Sequence, residues 1–593
     1  EAAALRRAAL QCRVCDPAVG AGAFAVAMLH EITACVALLD RRIHGPHVLR
    51  ERNAGYELKC AILEKCLHGV DIQEHALRLC TLRLWLALAA DCHADPVPPL
   101  PGLRHRMVCG DSLADSLFGH CIQLDVMPGH AEAARLAQSL KSLKAAFFHA
   151  SAAEEQRRLD RCIRAARAGL TVLLLDAKIQ HPGGPGPAPA VRAGLKRLRA
   201  RVARTAQGRD GDSPGFIWRA DFADVFHEKG GFDIIIGNPP YGFRNVMSAD
   251  KKKHFRQGLG ARFPSGDIAE LFIKRIPEIA GNDGAVQFFI VPKKALYGQS
   301  WKDVRDEWLQ GNLLCLVDAS KAFRDVLLEQ VVFGMNRVRE QEEAAVEVGC
   351  ADAKSGGISV FGRFAREHVF EPDVGTAHMY ACVAGHDLIR RIRDMSHSVA
   401  DTPLRTRMGL SGVTRGLSHT PGDAAPCVKG MDISRYAIKK QRYLKNACLE
   451  IFKEDALAQH RGEKVIAQKI VAHVRHPHPH IKITACVDRE NRYVHDTGVI
   501  VACRDACVPP EFLCAWLNSR LVGWYAYHVV FNRAVRTMDL IDYYVKQLPF
   551  PVRVDRHTLA ACTRLVREAE RGRAVQDRID AAIYGLYGLS RED

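Results

Sequence analysis

Six consecutive residues, Gly237-Asn238-Pro239-Pro240-Tyr241-Gly242, carry the most specific chemistry in the chain. They follow directly on Phe232-Asp233-Ile234-Ile235-Ile236, an apolar run that reads as a buried strand. Two consecutive prolines cannot continue a central strand, and they fix the backbone so that a carbonyl points outward rather than into a ladder. The side-chain oxygen of Asn238 and the carbonyl of Pro239 can then accept both protons of one planar amino group. Tyr241 supplies a ring on which a base or an amide stacks. Asn238, Pro239, Pro240 and Tyr241 are therefore expected to grip an NH2 group.

A second constellation lies near the start, in Asp16-Pro17-Ala18-Val19-Gly20-Ala21-Gly22-Ala23-Phe24, between a short strand and a helix. Gly20 and Gly22 permit positive φ and leave no Cβ in the way of a ligand lying against the backbone. No third glycine follows at the dinucleotide spacing and the turn begins Asp-Pro, which favours a nucleoside cofactor without phosphates. Asp71 ends Gly69-Val70-Asp71-Ile72, where a strand-tip carboxylate can accept both hydroxyls of a ribose. Asp111 stands similarly in Cys109-Gly110-Asp111-Ser112-Leu113. Either aspartate could instead be a helix N-cap. Three successive strand tips of this kind point to a ligand.

The elements that must position these residues follow from periodicity. Arg13-Val14-Cys15 reads as a strand, followed by a helix to about Ala34; Leu67–Ile72 is a strand, Glu74–Leu88 a helix and Met107–Cys109 a strand. This β-α-β-α-β order implies a mainly parallel sheet with ligands at the carboxyl ends of its strands. From about 119 to 210 the sequence becomes Ala/Leu/Arg-rich, broken by the Pro/Gly-rich stretch His181–Pro187, and predicts an inserted helical hairpin with a flexible tip. Its basic run Lys196–Arg201 is either a solvated face or a DNA contact. The sheet resumes at Phe232–Ile236, with a helix over Ile268–Ile279 and strands near Val286–Val291, Leu313–Val317 and Val331–Gly334. Past about residue 400, short strands, His-rich loops and an aromatic helix near Phe512–Tyr527 predict a separate domain.

The order Asp-Pro-Ala-x-Gly-x-Gly-x-Phe, then Asp71, then Gly-Asp111, then Asn-Pro-Pro-Tyr resembles the amino-methyltransferases. With a recognition domain after the catalytic one, the chain resembles the adenine-N6 DNA methyltransferases of restriction–modification systems, of the type IIG and TaqI-like kind. The resemblance implies an α/β fold: a Rossmann-like S-adenosylmethionine-dependent methyltransferase domain with a helical insertion and a C-terminal α+β target-recognition domain. It implies that Asp16, Pro17, Ala18, Gly20, Gly22, Phe24, Asp71, Ile72, Asp111 and Ser112 line the S-adenosyl-L-methionine pocket, and that Asn238 to Tyr241 hold the target adenine. Ala322-Phe323-Arg324 before Gln330-Val331-Val332-Phe333 resembles the segment whose phenylalanine packs on a flipped base, a role that falls to Phe323. Gly430–Tyr436, Lys464–Ile466, Leu517–Leu521 and Gln547–Pro551 resemble the scaffold of type IIG specificity domains.

The organisation implied is residues 1–118 as the cofactor half of the methyltransferase domain, 119–215 as the insertion and 216–340 as the catalytic half. Residues 341–400 connect to a target-recognition domain at 401–552, and 553–593 form a C-terminal helical segment. The family carries a further cofactor loop before the first motif, and only about a dozen residues precede Asp16 here, so an upstream piece is expected. The implied partners are double-stranded DNA and a fused or separate nuclease or helicase, in the bacterial cytoplasm at the nucleoid.

Composition agrees with a folded polyanion-binding protein: 48% of the residues are hydrophobic, 25% charged, and the net charge is +16 with a pI near 9.1. No run of about 18 apolar residues predicts a membrane span. The 20 cysteines are scattered through apolar runs and read as reduced core residues. Cys12 and Cys15 form an isolated C-x-x-C without a second pair at zinc spacing, and His473, His476, His478 and His480 read as a polar loop, so no metal site is expected. Cytosine-C5 methylation would need a cysteine nucleophile, and the Pro426-Cys427 pair lies in a Gly/Pro-rich loop away from any sheet tip. Protein-glutamine methylation, RNA methylation and a catalytically silent DNA-binding specificity subunit are the remaining alternatives.

Overall fold

The computed structural model describes residues 1–45, 53–94, 98–124, 129, 131–180, 189–206, 215–242, 266–320, 328–338, 345–352, 356–371, 373–381, 383, 386–536 and 538–590. The chain divides into two compact units, the first made of Glu1–Val291, Gln310–Cys315 and Val332–Glu342, the second of Pro292–Leu309, Leu316–Val331 and Glu343–Asp593.

The first unit is α/β. Its strands are β1 (Val14–Asp16), β2 (Leu67–Asp71), β3 (Met107–Cys109), β4 (Asp115–Leu117), β5 (His120–Ile122), β6 (Ile234–Gly237) and β7 (Val286–Pro292), with the first part of β8 (Asn312–Asp318) and most of β9 (Gln330–Asn336). They order as β8-β9-β7-β6-β1-β2-β3, with β4 and β5 as a separate hairpin. β1 pairs in parallel with β2 on one side and with β6 on the other, Cys15 lying opposite both His68 and Ile235. Successive strands therefore lead away from β1 in opposite directions. That makes the gap beyond the carboxyl ends of β1 and β6 a topological switch point, where open parallel sheets bind ligands.

The helix after β1 runs from Ala23 to His44, ten residues past its expected end, because no breaker occurs before Gly45, whose φ is +87°. By length and composition it is apolar enough to cross a membrane. Here its Leu29, Ile32 and Val36 are buried in a core with Val14, Leu67, Leu84 and Met107.

The insertion differs from the predicted hairpin. Three helices, Ala131–His149, Ala153–Gln180 and Pro189–Ala206, pack around Leu140, Leu170, Leu174 and Val202. The first two are separated at Ala150–Ala152, and the stretch expected as a flexible tip, His181–Pro187, lies outside the described residues. The hairpin of β4 and β5 crosses the expected boundary at 118. Its turn residues Phe118 (φ +51°) and Gly119 (φ +84°) are both left-handed, and an aromatic in the first of those places gives no turn signal in sequence. In the basic run, Arg199 pairs with Asp176 at 2.5 Å and the Arg201 guanidinium lies 3.8 Å from the centre of the Phe118 ring. Both are engaged within the insertion.

In the second unit, an antiparallel hairpin Ala345–Ala351/Ile358–Ala365 precedes a domain built on two small sheets. One is antiparallel throughout, in the order Leu404–Met408, Gly498–Cys503, Lys464–Gln468, Ala485–Asp488. The aromatic helix is in fact two, Pro510–Asn518 and Arg520–Tyr525, divided at Ser519, whose side chain caps the second by accepting from Val522 N. The histidine segment, expected as a loop, is a two-stranded ribbon, Ala472–Val474 with His480–Lys482. Helices Arg556–Glu570 and Gln576–Gly585 close the chain.

Candidate active site

β1 delivers Asp16 to the switch point, where its side chain is 3% exposed. Oδ1 accepts from Ala18 N at 2.9 Å and so ties the turn to its own strand. Oδ2 is enclosed and has no hydrogen-bond partner among the described residues. Burial, with Asp71 nearby, pushes this carboxyl up to about 7 in spite of the Ala18 bond. A buried acceptor with nothing to accept costs stability unless a ligand supplies the donor.

Gly20 and Gly22 adopt φ of +51° and +81°, as the turn was expected to require. A Cβ on Gly22 would stand 2.5 Å from Cys80 Sγ, so this glycine serves helix packing as well as the turn. A Cβ on Gly20 would meet only a carbonyl at 3.9 Å, which leaves its face open.

Neither Asp71 nor Asp111 is a helix N-cap: Gln73 holds that place before helix Glu74–Ala89, and a turn and β4 follow Asp111. Asp71 Oδ2 accepts from Gly20 N at 2.9 Å and Oδ1 from Gln73 N at 2.8 Å, so this carboxylate ties the glycine turn to the residue that precedes the next helix. Each oxygen keeps a second lone pair. Ile72 beside it is 62% exposed, an apolar side chain presented at a strand tip. Asp111 is half-buried and its Oδ1 accepts from Leu113 N at 3.2 Å. Ser112 is buried and donates from Oγ to Pro17 O at 2.5 Å, fastening this loop to the first one. Pro17 is buried, and Ala18 and Phe24 are half-buried beside it.

β6 ends at Gly237, and Asn238 follows, exposed, with Pro239 buried, Pro240 exposed and Tyr241 half-buried. The Tyr241 hydroxyl lies 2.7 Å from Asn238 Oδ1 and 3.0 Å from the Ile290 carbonyl of β7. One phenolic proton serves one acceptor at a time, and donation to Asn238 sets which edge of the amide faces outward. Gly242 N and Ala269 N both donate to Asp267 Oδ1, at 3.3 and 3.1 Å, so the two sides of the segment after Tyr241 meet at the cap of helix Ile268–Ile279.

Gly237, quoted with the motif but given no role of its own, and two residues that sequence reasoning missed, Phe216 and Trp218, complete the first unit's site. A Cβ on Gly237 would sit 3.0 Å from Asp16 Oδ1, a tight approach, so the absent side chain gives that carboxyl room against the strand that leads into Asn238. Phe216 covers Gly110, where a Cβ would come within 2.2 Å of its ring, and Trp218 Nε1 donates to Ser112 O at 3.0 Å. Gly237 adjoins the motif and was within reach of a local reading; Phe216 and Trp218 come from beyond the insertion and were not. Phe323 lies outside the described residues.

Of the thiols singled out in the sequence, Cys12 is half-buried and Cys427 buried. Burial pushes the Cys12 and Cys427 thiols up to about 12, so neither supplies a thiolate near neutral pH. Among the described residues no cluster of three or more His, Cys, Asp or Glu is placed to hold a metal ion.

Comparison with known proteins agrees with this geometry. Residues 65–323 match the Eco57I restriction-modification methylase family, and residues 425–550 match the TaqI-like C-terminal specificity domain. A Methanocaldococcus jannaschii protein named a type II restriction enzyme and methyltransferase is 28% identical over 337 residues, which is 50% of this chain and 27% of that protein. The chain thus spans about a quarter of that relative's length. The structure of the type IIL restriction-modification enzyme MmeI in complex with DNA is similar over 99% of this chain and 72% of that one, with a TM-score of 0.55 at 10% identity, a likeness of fold. This chain joins a domain of the Eco57I restriction-modification methylase family to a TaqI-like C-terminal specificity domain.

Proposed function

We propose that the chain is a site-specific DNA methyltransferase that methylates N6 of a flipped adenine with S-adenosyl-L-methionine as donor, within a restriction–modification system that includes a fused or separate nuclease or helicase. The observation that carries this reading is the meeting of the glycine turn and the Asn-Pro-Pro-Tyr segment at one switch point, with Asp16 Oδ1 lying 3.0 Å from where a Gly237 Cβ would stand.

The residues present suit the cofactor. Among the described residues Asp16 Oδ2 is an enclosed acceptor without a donor, as expected where a cationic ligand completes the site. Asp71 has lone pairs left for ribose hydroxyls, Ile72 offers an exposed apolar face to a nucleobase, and Gly20 leaves the backbone approachable. When bound, S-adenosylmethionine supplies an electrophilic methyl group on a positively charged sulfur.

The protein's own task is the amine. Stacked in a duplex, N6 of adenine is out of reach, and extruding the base costs a few kcal/mol. Stacking on Tyr241 returns about 1–3 kcal/mol of that. The amine lone pair is delocalised into the ring. Accepting its two protons at Asn238 Oδ1 and the Pro239 carbonyl favours a tetrahedral nitrogen and stabilises the charge that develops on it. Oδ1 has two lone pairs, so it holds the Tyr241 hydroxyl and the substrate amine together. The surplus proton leaves to solvent.

A TaqI-like specificity domain favours DNA over a protein amide as the bearer of the amine. The test is Asn238→Ala, assayed for methyl transfer to duplex DNA, duplex RNA and a glutamine peptide. Transfer to DNA by the unaltered protein, lost by at least about 100-fold in the variant with DNA affinity within severalfold, is the expected result. Retained transfer would remove the proposed grip.

A further inference from the structure

From Lys464 to Val487 the specificity domain contains no aspartate or glutamate, while Lys469, His473, Arg475, His476, His478, His480 and Lys482 fall in that span. The fold gathers most of them on the ribbon Ala472–Val474/His480–Lys482, whose five-residue tip, Arg475-His476-Pro477-His478-Pro479, is exposed throughout. The base is held firmly. Ile481 is fully buried, and a Cβ on Gly523 would stand 2.4 Å from the Ile481 carbonyl, so the ribbon lies flush on helix Arg520–Tyr525. The His473 ring stacks on Tyr527 with centroids 5.2 Å apart. Val471 N donates to Met538 O at 3.1 Å, and Leu540 N to Lys469 O at 2.6 Å. Two carboxylate residues lie near the base: Glu329 accepts from the amides of Val535 and Arg536 and lies 3.9 Å from Lys293, and Asp539 pairs through its backbone with Ile470.

A two-stranded ribbon fits the major groove of B-DNA, which is about 12 Å wide, and two prolines limit the freedom its tip would lose on binding. Histidine rings donate and accept to base edges, and Arg475 and Lys482 carry charge toward phosphates. From this combination of anchored base, projecting tip and a basic span without acidic residues, we propose that the ribbon enters the groove of duplex DNA. In this arrangement Arg475 and Lys482 contact phosphates, and His476 and His478 set sequence preference at one or two base pairs. The proposal rests on the DNA-methyltransferase reading above.

The experiment uses the full chain and two double variants, Arg475→Ala/Lys482→Ala and His476→Ala/His478→Ala, each checked for unchanged thermal unfolding. Binding to a random-sequence duplex of about 30 base pairs is measured across salt concentrations, and the adenines methylated in the DNA of an expressing host are mapped. The first variant is expected to flatten the slope of log affinity against log salt by about 2 and to weaken binding roughly tenfold near 0.2 M salt. The second is expected to relax the methylated sequence at one or two positions. Unaltered slope and unaltered sequence in both variants, with the parent protein active, overturn the ribbon alone. A parent protein that binds duplex RNA in place of DNA, or transfers nothing to adenine, overturns the methyltransferase reading and the ribbon with it.

Discussion

The two ends of the parallel sheet treat buried charge in opposite ways. At the amino ends of β1 to β3, Asp224 is buried between two cations, Lys144 Nζ at 2.7 Å and Arg106 Nη1 at 3.1 Å, and despite burial they hold its carboxyl far below the usual range. His68 joins them. Burial lowers its pKa well below the ordinary value, so the ring is neutral, accepts from Arg106 at Nε2 (2.8 Å), and turns Nδ1 to the Val14 and Cys66 carbonyls. Arg13, just before β1, pairs with Glu228 at 3.2 Å. At the carboxyl ends, Asp16 is as deeply buried and, among the described residues, has no cation beside it and no partner for one of its oxygens, while Ile72 and Asn238 stand exposed. One end sets its buried carboxylate between two cations and the other leaves Asp16 Oδ2 without a partner among the described residues, and on that contrast the proposed cofactor site rests.

The largest test of this contrast is at the closed end. Asp224→Ala leaves Lys144 and Arg106 as buried charges without a counterion, which should destabilise the first unit by about 3–5 kcal/mol. The carboxyl is lowered in the folded state, so its contribution is present above the ordinary value of 3.8 and declines as pH falls below it. Urea unfolding at pH 7 and pH 3.5 should therefore show a smaller difference between parent and variant at the lower pH. A loss at pH 7 under about 1 kcal/mol would mean that the cluster is not the lock described.

At the open end the sign reverses. Asp16 titrates at about 7 in the folded protein against 3.8 ordinarily, so the folded chain retains a proton that the unfolded chain has released. Its contribution is full below 3.8 and is lost as pH rises to about 7, a span worth at most about 4 kcal/mol. Asp16→Asn keeps the acceptor for Ala18 N and removes the titration. The variant should be the more stable protein, by a margin that grows from pH 5 to pH 8, and should bind S-adenosylmethionine more weakly by calorimetry. A margin that does not change with pH would refute the unpaired carboxylate; stabilisation with undiminished cofactor binding would separate Asp16 from the ligand site.

The same contrast explains how much could be read without coordinates. The open end is written in short local patterns, since strand tips, glycine turns and Asn-Pro-Pro-Tyr each occupy a few adjacent residues, and β1, β2, β3 and β6 formed where periodicity placed them. The closed end was illegible. Its partners lie on three separate segments, Arg106, Lys144 and Asp224, and no local rule pairs a lysine in the insertion with an aspartate beyond it. The histidine segment failed for a related reason. Alternating His and Pro carry no β-signal of their own, and the ribbon exists because Ile481 is buried against helix Arg520–Tyr525.

The smallest effect is also the most discriminating, because it falls between open and closed within the catalytic segment. Tyr241 gives the site a ring and also a hydroxyl that reaches Asn238 Oδ1 and the Ile290 carbonyl. Tyr241→Phe keeps the stacking surface and deletes one hydrogen bond, about 1 kcal/mol, or roughly fivefold, in methyl transfer. If the hydroxyl orients Asn238, the loss appears in kcat and is equal on paired and mispaired target adenines, because base extrusion does not involve it. Tyr241→Ala removes the stacking as well, and its loss should be smaller where the adenine is already mispaired and costs less to extrude. A phenylalanine variant that also discriminates between paired and mispaired DNA would show the hydroxyl acting in base extrusion, and would leave Asn238 to be oriented by its own backbone and the prolines that follow it.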